Sequence, residues 1–243
     1  NNMEEVSAMN VRVKFSKQGP VKFIGHLDTM RYFQKAIRRA ELPIAYSGGF
    51  SPHMILSFAA PLGVGVTSQG EYFDMQLTHT VPTKHIEEAL NQTMAEGFQV
   101  LSARKVEDGK ASKAMSLVAA ADYFVTFRQG HVIPDNWEEK ILDFYGQPSI
   151  VTWKKTKRSE KDVDIKPSIY RLEVKENRIY LRLAALSGYY TKPDLVLSAF
   201  FQSQKMEFDP LCIQVERLEV YADKGTEDVH HFISLEELGE EVE

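Results

Sequence analysis

Val11-Arg12-Val13-Lys14-Phe15 alternates apolar and polar residues, the pattern of a strand with one buried face. Downstream the period changes. Leu27, Met30, Phe33, Ile37 and Ala40 recur at three- and four-residue spacing on one helix face, with Arg31, Lys35, Arg38 and Arg39 on the other. Pro43 stops that helix. Residues 55–59 and 71–77 read as two more strands. Pro82-Thr83 opens a second helix with Ile86, Ala89, Leu90 and Met94 inward, Gly97 closes it, and residues 98–106 form a last strand. The order is strand, helix, strand, strand, helix, strand.

After a linker over residues 108–121 the order repeats. Residues 123–127 alternate, Asp135 suits the cap of a helix running to Tyr145, and residues 149–155 read as a strand. A hairpin is expected around Lys175-Glu176-Asn177. Thr191-Lys192-Pro193-Asp194 has the capping-box pattern of a further helix, and residues 214–221 end the half. The expected fold is α+β, built from two ferredoxin-like βαββαβ halves of RRM-like or RAMP-like type, with one mixed sheet as the alternative. The expected boundaries are 1–107, a linker at 108–121, 122–228, and an acidic tail at 229–243.

Composition fits globular halves of this size: 43% of the 243 residues are hydrophobic and 26% charged. Residues 1–10 are polar, with a frayed start expected and no signal pattern. No apolar run approaches the roughly 18 residues that span a bilayer. A lone cysteine, Cys212, excludes an internal disulfide and an iron–sulfur site made by this chain alone, and suits a cytoplasmic protein. Net charge is −5, with Glu236, Glu237, Glu240, Glu241 and Glu243 concentrated at the end. Basic residues elsewhere are therefore able to cluster.

Chemistry-bearing residues concentrate in Tyr46-Ser47-Gly48-Gly49-Phe50-Ser51-Pro52-His53. Paired glycines let backbone N–H groups approach a ligand, Ser51 and His53 add donors, and Tyr46 and Phe50 offer flat faces for a base. A plain tight turn is the simpler reading. Gly25-His26-Leu27-Asp28 opens the first helix, where free N–H groups suit phosphate, although Asp28 also serves as an ordinary cap. His26 and His53 are expected to face one cleft. Arg38 and Arg39 lie on the basic helix face, and Lys154-Lys155-Thr156-Lys157-Arg158 follows Trp153. Both suit nucleic-acid backbone, with a solvated face and edge-strand protection as the simpler alternatives. No metal site is expected, because His230 and His231 are adjacent and point apart in a strand. No cofactor is expected of the chain itself.

Several of these pieces together resemble the bacterial radical-SAM-linked, or radical-SAM-associated, family. They are Phe15 and Gly19 before Phe23-Ile24-Gly25-His26-Leu27-Asp28, Ala45-Tyr46, Gly49-Phe50-Ser51-Pro52-His53, Ser57-Phe58-Ala59, Pro61-Leu62-Gly63-Val64-Gly65, Gly70-Glu71-Tyr72 and Asp164-Ile165-Lys166-Pro167. Met54 departs from the family's usual proline. The resemblance implies a cobalamin-binding radical-SAM partner that carries the cluster, the cobalamin and the S-adenosylmethionine. Two such halves are also distantly similar to CRISPR repeat-processing endoribonucleases. The expected role is an accessory module that binds RNA. The alternatives are a metal-independent endoribonuclease using His26, His53 and Tyr46, and a protein scaffold without nucleic acid.

Overall fold

The computed structural model describes residues 7–243. The expected frayed start therefore lies outside them for its first six residues. The chain forms two compact units. The first comprises the residues up to Val118 together with Glu219–Glu243, and the second Ala119–Leu218.

The first unit runs β1 (Met9–Lys17), α1 (His26–Arg39), β2 (Leu56–Ala59), β3 (Thr67–Leu77), α2 (Thr83–Asn91), β4 (Phe98–Val106) and the short α3 (Ala114–Leu117). The strand order is β4-β1-β3-β2, with every neighbouring pair antiparallel. That is the ferredoxin-like order expected from the sequence. Val11, Val13 and Phe15 of β1 and Phe73, Met75 and Leu77 of β3 pack against Phe33 and Ile37 of α1 and Ile86 and Leu90 of α2. Each large side chain so buried contributes about 1.5–3 kcal/mol. The helix face is rotated from the expected one. Leu27 is exposed and Met30 half-buried, while Thr29 and Ala36 are buried with Phe33 and Ile37.

The second face of this sheet is polar and covered by the chain itself. Arg12 Nε and Nη2 donate to the two carboxylate oxygens of Asp74 at 2.9 and 3.1 Å. Arg12 also donates to the carbonyls of Leu235 and Ser112 at 3.0 and 2.8 Å, and Ala114 N–H donates to Asp74 at 2.7 Å. Lys14 pairs with Glu219 at 2.7 Å and Glu236 at 3.3 Å, and the Tyr72 hydroxyl donates to Glu219 at 2.6 Å.

The second unit runs β5 (Ala120–Phe127), α4 (Trp137–Tyr145), β6 (Val151–Lys155), β7 (Glu160–Asp164), β8 (Ile169–Lys175), β9 (Arg178–Leu186), β10 (Tyr189–Tyr190), α5 (Pro193–Ser203) and the first part of β11 (Ile213–Asp223). Its order, β11-β5-β9-β8, repeats the arrangement of the first unit. Phe127 meets Trp137 of α4 at 5.1 Å between ring centroids, and Phe144 meets Phe200 of α5 at 5.5 Å.

Three local expectations are corrected here. α4 begins at Trp137 after Asn136, which has a left-handed φ of 52° and makes no side-chain cap, so Asp135 does not cap it. Thr191 does not cap α5, because its hydroxyl is bonded to the buried Ser168 hydroxyl at 2.7 Å. Nor do residues 229–243 form a free tail. β12 (Phe232–Ser234) pairs with β11, Lys105 and Glu240 exchange backbone hydrogen bonds at 2.8 and 2.9 Å, and Glu241 pairs with Arg104 at 3.1 Å. Of the acidic side chains, Glu236 pairs with Lys14 and Arg104, and Glu241 with Arg104.

Candidate functional site

The segment from Tyr46 to Met54 is a closed loop. The two residues bridge, Ser47 N–H donates to the His53 carbonyl at 2.8 Å, and the Ser47 hydroxyl accepts the His53 N–H at 3.1 Å. The same hydroxyl lies 2.9 Å from His53 Nδ1. Ser47, beside the two glycines, closes the loop. Gly49 has φ +94°, which explains one of the two glycines. Gly48, Ser51 and Phe50 are exposed, with Phe50 at the tip. The His53 imidazole lines a cavity of about 190 Å³ with Glu107, Asp108 and Lys113. Those charges give it no positive potential for phosphate.

His26 lies elsewhere. It lines a recess of about 20 Å³ with Lys17, Phe58, Leu62 and Glu71, and its ring is 5.8 Å from that of Phe58. Burial, then the Lys17 ammonium, holds the imidazole below its ordinary value. Lys17 Nζ donates to the Ile24 carbonyl at 2.5 Å, and burial pulls its pKa down against the pull of Glu71. The two cavities share no lining residue. Phe58 is five residues beyond His53, roughly 16 Å along extended chain. The expectation that His26 and His53 face one cleft is thereby corrected, and Tyr46 has no acid–base pair to assist. Lys17 and Glu71 had a sequence signal. Each continues the apolar parity of its strand, Lys17 after Val11, Val13 and Phe15, Glu71 before Phe73, Met75 and Leu77.

The basic face of α1 is exposed at Arg31, Lys35, Arg38 and Arg39, with Arg31 3.4 Å from Asp28. None of these four side chains lines the His26 recess or the His53 cavity.

The second basic run has a wall. β6 and β7 form a separate two-stranded sheet that pairs Trp153 with Asp162, Lys154 with Lys161, and Lys155 with Glu160. The strand Glu-Lys-Asp-Val-Asp of β7 lacks apolar alternation, and for that reason the sequence did not reveal it. Thr156 N–H donates to the Ser159 carbonyl at 2.7 Å, and the Thr156 hydroxyl accepts Ser159 N–H at 3.0 Å, closing the turn that carries Lys157 and Arg158. Lys155 is neutralised by Glu160 at 2.8 Å and shares the other hairpin face with Trp153. Lys154, Lys157, Arg158 and Lys161 line a groove of about 490 Å³ with Tyr189. Lys154 Nζ donates to the Tyr190 carbonyl at 2.6 Å. No carboxylate pairs with Lys157, Arg158 or Lys161 among the described residues. Asp164 also lines the groove, but it accepts Ile150 N–H at 2.8 Å and Lys166 N–H at 3.0 Å, and these hold its carboxyl below the usual range.

A family model described as an uncharacterised protein conserved in bacteria, DUF2344, matches residues 10–193. The chain belongs to this family. The matched span contains the closed loop, the His26 recess and the whole β6–β7 hairpin. No curated protein matches this family member. Among solved structures it is similar to a chain in a crystal structure of a Cbf5-Nop10-Gar1 complex, with 10% identity and a TM-score of 0.43. The match covers 86% of the DUF2344 chain and 48% of the other, so the chain spans about half the length of that neighbour. Among the described residues no group of three or more His, Cys, Asp or Glu side chains is arranged to hold a metal ion, and no helix is long and apolar enough to cross a membrane.

Proposed function

We propose that this DUF2344 protein is a cytoplasmic binding module that holds RNA and acts with a cobalamin-dependent radical-SAM protein. The observation that carries the RNA part is the groove beneath the β6–β7 hairpin. Lys154 and Lys161 are cross-strand partners with like charge, an arrangement that costs stability until an anion sits between them. Lys157 and Arg158 extend the positive field from the turn, and Tyr189 supplies an aromatic wall. A phosphate chain with stackable bases matches that combination. The acidic net charge directs the contact to this groove rather than to the whole surface. Arg38 and Arg39 would add outlying phosphate contacts.

The radical-SAM part rests on the sequence resemblance. It is helped by one surface of the first unit. Phe23, Leu27 and Val64 are each about two-thirds exposed, and Gly65 N–H donates to the Lys22 carbonyl at 2.8 Å, which brings two of these segments together. That surface, which includes the helix start at His26, suits a protein partner, whereas the exposed loop of Gly48, Gly49, Ser51 and His53 would offer a separate contact rather than hold phosphate. RNA binding that weakens with salt, and co-purification of the radical-SAM protein lost on Leu27→Glu but kept on Lys157→Ala, would support both parts. Salt-independent binding would remove the first, and retention of the partner by Leu27→Glu the docking surface.

A further inference from the structure

A second cavity, of about 680 Å³, opens on the other side of Lys154. Its lining divides by chemistry. Tyr190 and Phe208 are aromatic, Lys154, Lys155 and Lys192 are cationic with Lys155 paired to Glu160, and Asp194, Ser198 and Thr156 contribute one carboxylate and two hydroxyls. The aromatic walls are fixed. Phe208 packs edge-on against Phe201 at 5.2 Å, and Tyr190 is hydrogen-bonded to Tyr123. Lys154, with one of its three donors spent on the Tyr190 carbonyl, keeps two for a ligand. The volume is that of a site for a small organic ligand, apolar in most of its lining with a few converging polar groups.

We propose that this cavity binds one nucleotide whose base carries an exocyclic amino group. A flat ring suits Tyr190 and Phe208, a phosphate suits the lysines, and a lone carboxylate accepts from an amino group but repels a carbonyl. Lys154, Thr156 and Gly188 line both this cavity and the hairpin groove, so a strand laid in the groove can turn one nucleotide into the cavity. The inference deepens the RNA reading and rests on it for the identity of the ligand.

The test titrates the full chain with cytidine and uridine monophosphates, which match in size and differ at the group that Asp194 would meet. Cytidine monophosphate should bind about tenfold more tightly. Asp194→Asn should level the two, because an amide pairs with either base, and Lys192→Ala should weaken both alike. Equal affinity for the two in the native protein, or binding of neither, would overturn the inference. The Lys157→Ala, Arg158→Ala, Lys161→Ala variant separates the two ideas. Salt-dependent RNA binding that this variant loses, with no nucleotide bound by the native protein, sinks the cavity alone. Base-selective nucleotide binding that this variant keeps, with no RNA bound by the native protein, sinks the groove alone.

Discussion

Lys154 and Lys161 face each other across β6 and β7, so two ammonium groups share one side of a two-stranded sheet. Opposite charges at such a pair stabilise it and like charges do the reverse, by about 0.2–1 kcal/mol. Lys161→Glu should therefore raise the thermal midpoint slightly while weakening RNA binding. A gain in both, or a loss in both, would contradict the functional reading of the pair.

Arg12 is fully buried on the polar face of β1 and binds Asp74 through two hydrogen bonds. Removing one partner of such a pair leaves the other charge without compensation, at a cost of about 3–5 kcal/mol. Asp74→Ala should lower stability by that amount in denaturant unfolding, and it also strips the acceptor from Ala114 N–H. A loss under about 1 kcal/mol would mean the pair is open to water.

Loop closure between Tyr46 and Met54 depends on Ser47 and Gly49. Ser47→Ala removes the acceptor of His53 N–H and should cost about 1 kcal/mol. Gly49→Ala forces a side chain into φ +94° and should cost about 1–2 kcal/mol, whereas Gly48→Ala, with open space around it and no such φ, should be nearly neutral. Equal effects of the two glycine substitutions would contradict the described loop.

Burial first, then Lys17, lowers the His26 pKa below 6.5. Between the two values the unfolded chain binds more protons at this site than the folded one, so stability rises with pH. Its contribution is complete above about pH 6.5 and is lost as pH falls toward the native pKa. The stability difference between native protein and His26→Asn should grow in favour of native protein from about pH 5 to pH 7.5. A difference independent of pH would show an imidazole open to solvent.

The alternating residues of β1 and the run that became β4 were legible, because a half-buried strand must alternate. The doubled strand–helix order followed from the same periodicities. The candidate site was legible only as composition. A run of lysines gives no sign of whether it is flexible or paired, and β7 is too charged to announce itself as the partner strand. Caps misled for a related reason, since Thr191 has the right residue type but its hydroxyl is spent on Ser168. The C-terminal glutamates read as a solvated tail because the partners of Glu236 and Glu241, Lys14 and Arg104, lie more than a hundred residues earlier.

The groove under the β6–β7 hairpin is proposed to bind RNA by its phosphates. The most direct measurement is the salt dependence of single-stranded RNA affinity for the native protein and for the Lys157→Ala, Arg158→Ala, Lys161→Ala variant. Each phosphate contact on a single strand contributes about 0.7 to the slope of log affinity against log salt. Weaker binding by the variant and a slope shallower by about 2 are expected. The same affinity and slope for both proteins, or no binding by either, would contradict this proposal.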